Sequence, residues 1–511
     1  MDAILAVDVG TTLSKLQCFR ADGQAVGPML STGTPVQPDG TADALGFVRA
    51  VESILDGLCA AVPEDPTGKQ VAIRGCALTC SWHGLAGLDA SGEPCTRVST
   101  WMDASAGEEA LELRRLVAHE GAVHDRTGCR LHPSYIPARL LRLQRREPDT
   151  WKRVSTWVSI GELLQTRWCG PGSPASLSMA SGSGLFDSRL GLWDPELCGL
   201  LEIAPPTLPR VSDEWRRLAP AYRRRWPALA DALWTPAFGD GACSIVGSGA
   251  SVCEVAGGIG RGILPAGLAA SGGAAALSLG TSAAVRLLVE SERRLAQPLR
   301  PALFAYLLDE ARAVIGVSRS NALNLVRWAE RTLRLPSAPG GEDVVSYLVR
   351  ERMPGSSGLE ASSALAGERS PDWPANGRGG VAGLSLASEP LDIVQALVEA
   401  AVVGLVQAVH ELEIWTGPLD LVLSGGGARS PGWQHLMADG FGRPIAVSDA
   451  ADTSLIGAAL LCLQRLGLLE GADECRPTLH VVEPDPVRAE AFARLVERAA
   501  PWASDRYILD A

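Results

Sequence analysis

In the opening stretch AILAVDVGTTLSK, Asp8, Gly10, Thr11, Thr12 and Lys15 fall within eight positions, between two apolar runs. Glycine lets a tight turn approach a ligand closely, the threonine hydroxyls and turn N–H groups can donate to phosphate oxygens, and Lys15 adds positive charge. Asp8, at a strand end, suits a hydrated Mg²⁺, which takes few carboxylates and keeps several waters. Alone, the motif also fits an ordinary hairpin. Far downstream come a second glycine-threonine turn, Gly280-Thr281-Ser282 in AALSLGTSAAVRLLVE, and a triple-glycine loop, Gly425-Gly426-Gly427. In that order, two phosphate-type turns and a glycine loop would hold the two ends of a nucleotide. No GxxxxGK[ST] loop occurs and no GxGxxG follows the first strand, so the P-loop and dinucleotide-binding folds are not supported.

These residues need elements to position them. Residues 3–8 and 13–19 read as strands joined by the GTT turn, with Asp22-Gly23 marking a further turn before a third strand. A helical pattern follows at 42–61 and an apolar strand at 70–78, then helical patterns at 105–119, 136–147 and 160–168. The strand, Gly-Thr turn and strand return at 275–290. An apolar helix is expected over 389–415, and LDLVLSGGGARSPGWQHLMADGF reads as strand, glycine loop and helix, with Ser430-Pro431 as N-cap and first-turn pair. The recurrence predicts an α/β protein of two related halves, 1–250 and 251–511, facing each other across a cleft. The Gly/Ala/Ser-rich stretch 247–274 is the expected crossover.

The 511 residues exceed a single domain, and 46% hydrophobic with 20% charged residues indicate a folded chain. A net charge of −12 disfavours nucleic acid and anionic lipid surfaces as partners, yet permits local nucleotide binding by backbone N–H groups. The 12 cysteines include no CxxC pair and no closely spaced Cys/His set, so reduced, buried thiols in a cytoplasmic protein are expected. The uncharged run from Ile263 to Val285 has the length of a membrane span, but it is dominated by small residues and reads instead as a glycine-rich connection feeding a strand.

Taken together, the motifs resemble the FGGY carbohydrate kinases, of the actin-like, ribonuclease-H-like superfamily. DVGTTLSK resembles the first phosphate motif, SWHGLAGLD the sugar-contacting segment and FGDGACSIVGSG the catalytic-aspartate segment. SLGTSAAVR resembles the second phosphate motif and LSGGGARSPGWQHLMADGFGRPI the adenosine motif. Within the family the chain is most similar to the gluconokinase branch, through HPSYIPARLLRLQRREPDTWKRVSTWVSIGELL, SMASGSGLFDSRLGLWD and LAGERSPDWPANGRG. The resemblance implies two actin-like domains with a cleft between them, ATP and Mg²⁺ as cofactors, and a small sugar or sugar acid as partner, with gluconate expected. A pentulose or other polyol, and an actin-like ATPase without acceptor, stand as alternatives. Asp240 is implied as the base, with Trp82, His83 and Gly241 beside the sugar. Asp8 is implied at the metal, Thr11, Thr12, Lys15, Gly280 and Thr281 at the phosphates, and Gly426, Gly427 and Ala428 at the adenosine. Asp103, Arg130 and Arg369 are further candidates near the acceptor, an arginine being suited to a substrate carboxylate. A homodimer is compatible with the family.

The chain also departs from the family pattern. Ser105 stands where the family's W-x-D-x-R motif has arginine, Ser176 where gluconokinases carry aspartate, and VSRSNALN (317–324) where they carry Asn-Asn-Gly-Gly. All three changes are expected around the acceptor pocket.

Overall fold

The computed structural model describes residues 1–499 apart from 66, 254–258, 262–264, 266–267, 269–271, 337–340, 366, 375–377 and 470–476. Most of the expected crossover at 247–274, and with it much of the run from Ile263, lies outside the described residues.

The first apolar run forms strand β1 (Asp2–Val9), buried at seven of its eight positions, as a central strand covered on both faces must be. It turns into β2 (Leu13–Arg20) and then β3 (Ala25–Gly33), a largely exposed edge strand where Pro28 costs no central ladder bond. Next come α1 (Ala44–Ala60), N-capped by Asp43, and β4 (Ala72–Cys80). Helices α2 (Gly107–Leu116) and α3 (Ile136–Arg146) contribute to a satellite core of their own, and α4 (Ile160–Cys169) opens with a capping box of Ser159 and Glu162. Two short strands, β5 (Leu233–Trp234) and β6 (Phe238–Gly239), lead into α5 (Asp240–Gly247).

The second sheet begins with the hairpin of β7 (Ala274–Leu279) and β8 (Ala283–Glu290), followed by β9 (Phe304–Leu307) and β10 (Arg312–Arg319). Helix α6 (Pro390–Thr416) is the one described helix long and apolar enough to cross a membrane, and it is mostly buried in the core beneath this sheet. The chain continues through β11 (Asp420–Ser424), α7 (Pro431–Phe441), β12 (Ile445–Ser448), α8 (Thr453–Leu466) and β13 (Leu479–Val482). Ser430 caps α7 through the Trp433 N–H, with Pro431 in the first turn.

Both sheets share one plan. The first runs β5-β4-β1-β2-β3, with β6 also beside β4; the second runs β9-β10-β8-β7-β11-β12-β13. In each, an antiparallel hairpin lies on one side of the leading strand and parallel strands on the other. The helices following the parallel strands cross over: α8 packs on β1 and β4 of the first sheet, while α5 reaches β7 and β8 of the second. This is the two-domain actin-like, ribonuclease-H-like architecture expected from the recurring turns.

Register decides what these sheets present. Val9 pairs with Cys80, and Cys80 with Gly239, all in parallel strands, so Gly10–Thr12, Ser81–His83 and Asp240 leave one edge side by side. Likewise Ser278 pairs with Ser424, which puts Gly280–Ser282 next to Gly425–Arg429. The carboxyl ends of parallel strands are where open α/β sheets receive ligands.

Candidate active site between the two sheets

In the opening hairpin, Asp8 sits directly across the ladder from Lys15, which puts both side chains on one face. Lys15 Nζ lies 3.9 Å from Asp8 and also donates to Asp452, the N-cap of α8. Burial pulls down on the Lys15 ammonium, but Asp452 and Asp8 outweigh it and hold its pKa above the ordinary lysine value. Asp8 is buried, and its Oδ1 has no hydrogen-bond partner. Burial, together with Asp452 and Asp240, holds its carboxyl well above the usual range despite Lys15. The turn between the strands closes through a Gly10 N–H to Leu13 carbonyl bond of 3.2 Å, leaving Thr11 partly and Thr12 fully exposed.

The second turn closes from Gly280 N–H to the Ser282 carbonyl at 2.9 Å, and the Gly280 and Thr281 carbonyls accept from Leu323 and Asn324. The triple-glycine loop packs on the end of β7. A Cβ on Gly427 would meet the Leu279 side chain at 2.4 Å, and Gly425 sits at φ 86°, a region that favours glycine. Ala428 is buried beside Gly426, and its carbonyl accepts from Gln434. The two downstream glycine motifs therefore form one surface.

Asp240 occupies the first position of α5, with its Oδ1 accepting from the Gly241 N–H at 2.8 Å. Burial raises its carboxyl pKa, and the Arg286 guanidinium opposes that rise. The glycines flanking Asp240 are expected to let substrate come close, but the space they leave is filled by other side chains. A Cβ on Gly239 would lie 1.8 Å from the Trp82 indole, and one on Gly241 would lie 2.6 Å from both Trp82 and Arg286 Nε.

Trp82 donates from its indole N–H to the Ser178 carbonyl and meets Tyr306 edge-on at 4.8 Å. His83 is held at φ 67° with Nδ1 donating to the Gly182 carbonyl, and burial pushes its pKa down to about 3, so the ring stays neutral. Its ring lies between Tyr135 (4.7 Å) and Tyr306 (5.5 Å), whose hydroxyls bond each other at 2.7 Å.

Arg369 stacks over Trp101 at 5.2 Å beside this pocket. Asp103 instead caps its own loop, accepting from Ser99 Oγ and the Ser105 N–H, and Arg130 is paired with Glu120 at 3.0 Å. Ser176 caps the helix Leu177–Ser181 and donates to the Ala237 carbonyl. The 317–324 segment is bound to the loop carrying Arg369 through Arg319–Glu368 (2.9 Å) and Asn321 to the Gly367 carbonyl (2.7 Å).

Three contributors do not appear among the sequence candidates. Asp452 lies 437 positions from its partner Lys15, and only its N-cap role before α8 was open to inspection. Arg286 is the one charge in the interior of an apolar strand that ends on the exposed Glu290, a visible sign of a partly covered cation. Arg139, on α3, ties together the loops around His83, Thr100 and Ser134 by donating to the carbonyls of those three residues and to Ser99 Oγ.

Two sheets of this plan, with carboxylates and glycine turns meeting at their carboxyl edges, define a nucleotide-dependent phosphotransferase of the actin-like class. Residues 3–215 match the N-terminal domain, and residues 275–465 the C-terminal domain, of the FGGY family of carbohydrate kinases. The chain belongs to that family, and is thus an ATP-dependent carbohydrate kinase acting on a hydroxyl of a small sugar or sugar acid. It is 23% identical to a gluconokinase of Bacillus subtilis (strain 168), over 92% of this chain and 89% of the relative. It is 28% identical to a xylulose kinase of Streptomyces coelicolor, over 82% of this chain and 81% of the relative. A solved xylulose kinase from Lactobacillus acidophilus shares the fold, with TM-score 0.82, 24% identity and 99% of each chain covered.

Proposed function

We propose that this chain transfers the γ-phosphoryl group of MgATP to a hydroxyl of a small polyhydroxylated acceptor, with Asp240 accepting the hydroxyl proton. The observation that carries this reading is the position of that carboxylate, at a strand edge between the Asp8–Lys15 hairpin and the aromatic pocket of Trp82 and His83. Thr11, Thr12 and Lys15 face the phosphates from one lobe, Gly280 and Thr281 from the other, and Gly426, Gly427 and Ala428 line the adenosine side. The acceptor lies over Trp82, His83 and the Gly241 turn. The acceptor oxygen attacks the γ-phosphorus as its proton passes to Asp240; the bond to the β-phosphate oxygen breaks and ADP leaves. A raised pKa makes Asp240 a better proton acceptor than a free aspartate.

The donor set suits Mg²⁺. Asp8 offers a buried, unpartnered oxygen, and among the described residues no group of three or more His, Cys, Asp or Glu forms a closed metal cage. One carboxylate with waters and phosphate oxygens is the usual Mg²⁺ environment. When bound, the ion neutralises phosphate charge; Asp8 is the residue that would hold it.

Gluconate, a pentulose such as xylulose, and other small polyols are the acceptors this reading admits, since the relatives include gluconokinases, xylulose kinases and a glycerol kinase. Ten cysteines, among them Cys18, Cys76, Cys129 and Cys462, are free thiols, eight of the ten buried, which supports a reducing cytoplasm. The lobes divide at 250/251, and a homodimer accords with the reading. Asp240→Asn is expected to keep ATP affinity within about twofold while kcat for ADP release falls about 10³-fold. The acceptor panel is gluconate, other aldonates, pentuloses, glycerol and erythritol. Near-normal turnover of the variant would remove Asp240 from this role, and equal ATP breakdown with and without every acceptor would leave an actin-like ATPase.

A further inference from the structure

Arg286 stands on β8, on the sheet face that looks toward the first lobe. Its guanidinium lies against Gly241 and Trp82. Its Nε is buried without a partner, and among the described residues the side chain makes no hydrogen bond and no ion pair. Arg369, on the loop after the short strand Glu360–Ser362, is close enough to depress the ionisation of Arg286. It stacks on Trp101 and donates to the Arg319 carbonyl at 3.2 Å, yet its Nε is also buried and unpartnered.

The acids nearby attract this pair without forming an ion pair with it, Asp240 acting on Arg286 and Glu368 on Arg369. Glu368 is committed to Arg319 at 2.9 Å and to the Ser320 N–H at 2.7 Å. Asp240 accepts from its neighbour's N–H and forms no ion pair with either arginine. Two guanidiniums therefore face one aspartate in an aromatic pocket. Both side chains are partly covered, and a guanidinium with a buried, unused N–H gains from an anion that can accept from it. Arg286 lies with Trp82 against Gly241 and Arg369 lies over Trp101, on the aromatic side of Asp240. The unused N–H groups belong to the acceptor side.

We propose that Arg286 and Arg369 form a clamp for a carboxylate, so that the preferred acceptor is a polyhydroxy carboxylic acid rather than a neutral polyol or ketose. The planar guanidinium forks match the two oxygens of a carboxylate, and the hydroxyls of the acid extend from the clamp toward Asp240. The proposal rests on the kinase reading for the role of Asp240.

Matched pairs test it: D-gluconate against D-glucitol and D-xylonate against xylitol, with D-xylulose as the ketose, measured by ADP release and by quenching of tryptophan fluorescence on binding. Each acid is expected to exceed its neutral partner in kcat/KM by about 100-fold. In Arg286→Gln that ratio is expected to collapse at least about tenfold, through KM, with Arg286→Lys keeping part of it. A neutral polyol or the ketose performing as well as the acids in the wild type would overturn the clamp, whatever the variants do. Equal loss of kcat for acid and neutral acceptors in Arg286→Gln would also overturn it, and assign Arg286 to the transferring phosphoryl group. Binding of gluconate over glucitol without ADP release would keep the clamp and remove the kinase reading; turnover without acid preference would do the reverse.

Discussion

Lys15 lies between two carboxylates that come from opposite ends of the chain, Asp8 across its own hairpin and Asp452 from the cap of α8. Lys15→Met therefore does two separable things. On the proposed reading it removes a cation from beside the phosphates, and KM for ATP is expected to rise about tenfold. It also leaves Asp452 and Asp8 facing each other unpaired, lowering stability by about 1–2 kcal/mol, discounted because the lysine is partly exposed. Adding Asp452→Asn should recover the stability but not the ATP affinity. Melting and ATP titration of the single and double variants would check this, and recovery of both would show that Lys15 serves the fold alone. The Asp8–Lys15 half of this arrangement follows from turn chemistry and hairpin register, so it was legible; the Asp452 half was not.

At the scale of elements, the site depends on the crossing of α5, which starts with Asp240, and α8, which starts beside Asp452. Their contact is made close by two glycines. A Cβ on Gly457 would lie 1.8 Å from the Cys243 carbonyl oxygen, and one on Gly247 would lie 2.0 Å from the Thr453 carbonyl oxygen. Ser244 and Thr453 hydroxyls bond across the same crossing at 2.9 Å. Gly457→Ala is expected to destabilise by about 2–4 kcal/mol and to lower kcat about tenfold in the folded enzyme, because both helix starts shift. Gly199→Ala, in an exposed helix with nothing near the new methyl, is the control and should leave melting unchanged or slightly raised. Equal melting of the two variants would show that the crossing has slack. The long strands and helices of this framework were readable from apolar runs and caps. The two-residue strands β5 and β6 were not, since periodicity needs more residues than they contain, although β6 delivers Asp240 to the edge.

Across the whole molecule, three buried histidines line the seam between the lobes. His83 meets Tyr306, His124 Nε2 donates to the Leu303 carbonyl at 2.8 Å, and His132 meets Trp373 edge-on at 5.5 Å. The seam closes tightly enough that a Cβ on Gly128 would lie 1.8 Å from the Ala305 carbonyl oxygen, at φ 72°. Burial pushes the pKa down to about 3 for His83, about 4 for His124 and about 3 for His132. These groups stay neutral in the folded chain while the unfolded chain takes up protons below about pH 6.5. Their stability contribution is complete above that pH and is lost on acidification. Glu162 and Glu399, pushed up to about 7 by burial, act in the opposite sense, losing stability as pH rises from the ordinary carboxyl range through about 7. A variant difference isolates one group: His132→Gln should gain on the wild type by about 1.4 kcal/mol per pH unit between about pH 6 and pH 4. A pH-independent difference in denaturant titrations would show that His132 titrates normally.

From the sequence alone came the turns, the apolar strands, the caps and the order of the motifs, and with them the family. These features are local, each written in residues a few positions apart whose backbone preferences need no distant partner. Only the tertiary structure brought Asp452 to Lys15, seated Trp82 and Arg286 in the space beside Gly239 and Gly241, and left the Nε atoms of Arg286 and Arg369 without a hydrogen-bond partner. Those relations join residues that lie on different elements, far apart in the sequence, and they are decided by how two sheets and two crossing helices pack.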